Sequence, residues 1–172
     1  TFMEVRNRLM LMTFFDTGIR VSELIDLKLS QVKDEYILIH GKGDKERVVP
    51  KSPLLNKWMF KYLSTRENYF AYRRVPENVF LSRNGRPMTT EAIHRVIKIA
   101  GKAVGVSRDI RVSPHTCRHT FAQMQLKNGL DLYSLSRLMG HSNISITQRY
   151  LEGLRDFEVL NACKATGILM NL

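Results

Sequence analysis

The chain has 172 residues, 44% of them hydrophobic and 25% charged, and its 27 lysines and arginines against 16 aspartates and glutamates give a net charge of +11. That length suits one hydrophobic core and is short for two, the composition is that of an ordinary globular domain, and a pI near 10.0 favours a polyanionic partner, nucleic acid ahead of an acidic membrane. No membrane span or cleavable signal is expected, since the longest apolar run, LMLMTFF at residues 9–15, is too short and is broken by Thr13; Cys117 and Cys163, without metal-ligand spacing, fit a reducing cytosol.

In chain order, EVRNRLMLMTFFDTG predicts a helix stopped at Gly18, and VSELIDLKL a second helix with Ser22 as its cap. The period then changes. EYILIH (35–40) and ERVVP (46–50) read as strands around GKGD, whose glycines and charges suit a hairpin turn. LLNKWMFKYLSTREN reads as a helix, VFLS at 79–82 as a short strand, RNGRP as a turn, and TEAIHRVIKIAGKAVG as an amphipathic helix ending at Gly105. Further helices are expected from Ser113 and Pro114, over 131–140 between Asp131 and Gly140, and over 146–151 with Ser145 as cap. The last segment, DFEVLNACKATGILMNL, is expected to start helical and end apolar. The expected fold class is α+β: a mainly helical domain with a small antiparallel sheet near residues 35–50 and 79–82.

The helix opening at Pro114 spends its first turn on His115, Arg118 and His119 before Phe121, Ala122, Met124 and Leu126 supply an apolar stripe. His115 and Arg118, three apart, share a face, with His119 roughly 100° further round. Taken alone, such a pair is either an exposed polar turn or a clamp for a phosphate or carboxylate. Three other stretches gather polar residues that local structure does not require: GIRVSEL at 18–24, GKGDKER at 41–47 and GHSNISITQRY at 140–150.

In this order and with these intervals, the four stretches resemble the catalytic domain of the tyrosine recombinases, the phage integrase family, from about residue 5 to about residue 155. The resemblance implies that Arg20 is the first catalytic arginine and Glu23 its carboxylate neighbour. It makes Lys42 the catalytic lysine, with Lys45 as a rival in the same loop, and His115 and Arg118 the HxxR pair. His141 becomes the later histidine and Tyr150 the nucleophile. Lys45, Arg47, Arg83 and Arg86 are expected to contact DNA.

The chemistry fits these residue types. A phosphodiester under attack passes through a five-coordinate arrangement whose non-bridging oxygens carry charge, so catalysis is mostly positioning plus positive donors. Two guanidiniums supply planar, permanently charged forks. A tyrosine with a pKa of about 10 is a poor nucleophile until a base or positive field assists it, and His115, His141 and the arginines provide both. A lysine on a hairpin is a credible general acid for the departing 5′ oxygen.

The implied activity is cleavage and rejoining of double-stranded DNA at a specific recombination site through a 3′-phosphotyrosine. No metal, no cofactor and no membrane are called for. Other protomers are expected in a tetrameric synapse, in the cytoplasm on the bacterial nucleoid. The resemblance also implies an N-terminal core-binding domain in the full-length protein, for which there is no room before Arg20, so residues 1–172 are expected to be a catalytic fragment. About 153–172 form a C-terminal tail that covers either its own core or a neighbouring protomer. Two other readings compete: a non-catalytic helix-turn-helix-like module in DLYSLSRLMGHSNISITQRYL, and type IB topoisomerase-like relaxation, which rejoins the same strand. Cys117 departs from the family's apolar residue and, as a small hydrophobe, is expected to face the core; His119 is expected to be structural, bonded to backbone or a buried acid.

Overall fold

The structure, a computed structural model, describes residues 1–41, 46–141 and 143–150. Two compact units divide the chain at a boundary after Arg118.

In the first unit, helix α1 (Phe2–Thr17) opens with a reciprocal cap between Thr1 and Glu4 and closes at Gly18, whose φ of 60° is left-handed. It packs on α3 (Pro53–Tyr69), which starts at a Ser52 cap followed by proline. Phe2 stacks on Tyr69 at 4.4 Å and meets the edge of Phe70 at 5.2 Å, while Tyr62 stacks on Phe80 at 5.6 Å. Tyr62 is buried, so its hydroxyl needs a partner and donates to the Val79 carbonyl at 2.8 Å.

Helix α2 (Val21–Asp26) follows Gly18 closely. Its cap is not Ser22: the chain turns in at Arg20, whose N–H donates to Glu23 Oε2 at 2.7 Å, because the carboxylate sits in the first turn where unpaired N–H groups converge. A single 3-10 turn (Leu29–Gln31) leads to β1 (Tyr36–His40) and β2 (Glu46–Pro50), an antiparallel pair in register Ile37 to Val49 and Ile39 to Arg47. The expected strand at 79–82 does not form, and among the described residues the sheet has two strands. Val79, Phe80 and Leu81 are fully buried, and their backbone is satisfied piecemeal: Val79 donates to Leu27 at 2.7 Å, and Ser82 to Arg86 across the tight turn at Gly85. A buried apolar run reads as a strand whether or not a ladder partner exists.

Helix α4 (Thr90–Ala103) is capped by Thr89 and buries Ile93, Ile97 and Gly101. A Cβ at Gly101 would lie 2.7 Å from Val112 Cγ1, so glycine lets α4 approach the segment entering α5. Helix α5 (Pro114–Lys127) begins as expected, with Ser113 Oγ accepting from the Thr116 N–H at 3.2 Å. Cys117 faces inward at 5% exposure, and burial pushes its thiol up to about 11.

In the second unit, α6 (Leu132–Met139) has the expected Asp131 cap and left-handed Gly140. Helix α7 (Ser145–Gln148) is a single turn, and its first N–H groups are met by Asn143 and not by Ser145: the Ser145 N–H donates to Asn143 Oδ1 at 2.9 Å. Phe121, Ala122, Leu135, Met139 and Tyr150 form the core here. The segments expected at the hairpin tip and beyond residue 150 lie outside the described residues.

Candidate active site

Arg20 enters α2 in an extended conformation, φ −76° and ψ 156°. Its Nη1 donates to Glu23 Oε1 at 2.9 Å. Arg47, on the inward-facing side of β2, grips the same carboxylate with both guanidinium nitrogens, Nη1 to Oε1 at 2.8 Å and Nη2 to Oε2 at 2.7 Å. Glu23 thus accepts from the Arg20 backbone and side chain and from the Arg47 fork, with its own side chain 5% exposed against 39% for Arg20 and 11% for Arg47.

Burial alone would push the Glu23 pKa up. The bonds from Arg47 and from the Arg20 N–H outweigh it and bring the pKa down to about 2. Because the folded value is depressed below the ordinary 4.5, this carboxylate stabilises the fold above that value and the contribution is lost as pH falls toward about 2. Urea unfolding is expected to lose roughly 1–2 kcal/mol from this group between pH 6 and pH 3, after discounting for solvent screening, and Glu23→Gln to flatten that part of the profile.

Arg118 is buried at 6% exposure, and its Nη1 donates to the Gly18 carbonyl across 100 residues of sequence. That bond sets the second arginine against the backbone two residues before Arg20. His115, three residues earlier on α5, is exposed, so the pair shares a helix but not an environment. Arg83 and Arg86 stand exposed on the turn closed by Gly85. Arg47 was expected on DNA; its guanidinium lies on Glu23 instead. Lys42 and Lys45 lie outside the described residues. At the base of their hairpin, His40 Nδ1 and Glu46 Oε1 are 2.9 Å apart.

In the second unit, Tyr150 is 6% exposed. His119 presents its ring edgewise at 5.1 Å, and His141 lies nearly parallel at 6.3 Å. His141 Nδ1 meets Thr147 Oγ1 at 2.8 Å, and the Tyr150 N–H donates to the Thr147 carbonyl at 3.0 Å. Thr147, fully buried, therefore touches both the histidine and the tyrosine segment. Sequence reasoning missed it, the only signal being a small polar residue three before the tyrosine. His119 has the aromatic ring of Tyr150 as its neighbour, where a backbone group or buried acid was expected.

Residues 2–155 match the model of the phage integrase family. The chain is 39% identical over 147 residues to the tyrosine recombinase XerD of Staphylococcus aureus (strain Mu50 / ATCC 700699), covering 84% of this chain and 49% of the relative. Among solved structures it resembles XerA recombinase, with a TM-score of 0.83 and 30% identity over 96% of this chain and 59% of that one. It also resembles XerH site-specific recombinase bound to difH substrate in a pre-cleavage complex, with a TM-score of 0.78 and 25% identity over 95% of this chain and 47% of the other. The chain belongs to the phage integrase family, the tyrosine recombinases. It spans about half the length of the curated relatives it matches.

Proposed function

We propose that this chain is the catalytic domain of a site-specific DNA recombinase, which cleaves one strand by attack of the Tyr150 hydroxyl on a phosphodiester and rejoins it by attack of a 5′ hydroxyl on the resulting 3′-phosphotyrosine. Bonds balance in each step: one phosphate ester replaces another, so no energy source is consumed. The observation that carries this reading is the bond from Arg118 to the Gly18 carbonyl, which brings a residue distant in sequence to the backbone two residues before Arg20 in a member of the family. One of Arg118's five N–H donors orients the guanidinium plane. Arg20 and Arg118 would neutralise the non-bridging oxygens, His115 and His141 would assist proton transfer, and Lys42 would protonate the leaving oxygen.

The helix-turn-helix alternative is disfavoured by α7, whose single described turn is too short to lie along a major groove. Residues expected to follow the DNA backbone include Arg83 and Arg86 and the exposed Arg95, Lys98 and Lys102 of α4. A relative described as a site-specific recombinase bound to its difH substrate supports double-stranded DNA as partner; further protomers on the site and, in the full-length protein, an N-terminal core-binding domain belong to the same proposal. A cytoplasmic, nucleoid-associated location follows from that substrate.

A duplex selected by the chain from a randomised pool, then nicked so that the cleaved end departs, should trap a covalent adduct. Tight binding without any adduct would leave a DNA-binding module. Affinity should fall by about 0.9 log unit per decade of salt for each phosphate bound, and Arg83→Ala with Arg86→Ala should lower that slope by about 0.9 for each phosphate released.

A further inference from the structure

We infer that Arg47 is a positioning residue for Arg20, acting through Glu23 and fastening the hairpin to the helix that Arg20 opens. The inference rests on the function proposed above. Its basis is the pattern of β2 joined to one carboxylate. Along β2, Glu46 and Val48 are exposed while Arg47 is withdrawn and Val49 fully buried, so the strand's pleat turns Arg47 inward. An inward guanidinium needs acceptors, and Glu23, 24 residues earlier, supplies both carboxylate oxygens at 2.7 and 2.8 Å.

Glu23 in turn has only two oxygens, and each is shared. Oε1 accepts from Arg47 and from the Arg20 side chain; Oε2 accepts from Arg47 and from the Arg20 N–H. With four donors in place the carboxylate's rotation is fixed, and the point on which the half-exposed Arg20 guanidinium rests is fixed with it. Arg47 follows Glu46, the first residue of β2, so its bonds to Glu23 tie the start of that strand to the Arg20 anchor. For Arg47 to bind a phosphate it would have to leave a buried carboxylate behind.

The test compares the chain with Arg47→Gln, Arg47→Lys, Glu23→Gln and the Arg47→Gln/Glu23→Gln double variant. Single-turnover cleavage of the nicked duplex and DNA affinity across a salt series are measured for each. Arg47→Gln should slow cleavage at saturating DNA by about 10²-fold, as a displaced catalytic group does, with affinity and salt slope unchanged. Arg47→Lys should recover part of the rate, and the double variant should be no slower than the slower single one. Should Arg47→Gln fail to fold, Arg47→Lys keeps the charge, and its saturating rate and salt slope decide the matter. An Arg47 variant with normal saturating rate and a salt slope lowered by about 0.9 would make Arg47 a phosphate contact and overturn the inference. Multiplying defects in the double variant would do the same, by showing that Arg47 acts apart from Glu23. A wild-type chain that forms no adduct overturns the proposed function and this role with it, an outcome recognised without any variant.

Discussion

Arg118→Ala is expected to slow strand cleavage by roughly 10²- to 10³-fold at saturating DNA, the range lost when a single donor to developing charge is removed. Two effects combine. The guanidinium supplies a fixed positive fork, and it is held by the Gly18 carbonyl, so truncation removes the charge and also strips a buried acceptor of its partner. The second loss costs about 1–3 kcal/mol of stability, which thermal unfolding would register separately from the rate. Arg118→Lys separates the two: it keeps a charge but has no fork, so its rate should fall between wild type and alanine while DNA affinity stays close to wild type. A cleavage rate for Arg118→Ala within a fewfold of wild type would remove Arg118 from the proposed site.

Tyr150→Phe should abolish covalent attachment while leaving DNA affinity and stability nearly intact. Tyr150 is buried, with Phe121, Leu135 and Met139 in its core and two imidazoles on its flanks. Phenylalanine keeps that packing and the edgewise contact with His119, and removes only the hydroxyl. Tyr133, exposed on α6, provides the comparison: Tyr133→Phe should leave attachment unchanged.

Helix boundaries were legible wherever one residue decides them. Gly18 and Gly140 adopt left-handed backbone, Asp131 and Ser113 accept from the first turn, and each is visible as a residue type at an interval. Ser22 and Ser145 misled because a serine near a helix start is outcompeted when a better acceptor, Glu23 or Asn143, already reaches the same N–H groups. The run at 79–82 misled because burial on both faces looks the same with or without a strand alongside. Within the candidate site, Arg20 with Glu23 was readable because both lie in one helical turn. The Arg47 partner and the packing of His119 on Tyr150 were not, since each joins residues more than 20 apart through strand pleat or helix packing, and no local period encodes that. A net charge of +11 suggested that Arg47 serves DNA, whereas a carboxylate inside the fold claims it first.

The nucleophile can be identified by digesting the trapped protein–DNA adduct and mapping the modified peptide by mass spectrometry. The nucleotide remnant should be linked through its 3′ phosphate to Tyr150, with none recovered from Tyr150→Phe. Linkage to any other side chain, or an adduct that persists in Tyr150→Phe, would contradict the account.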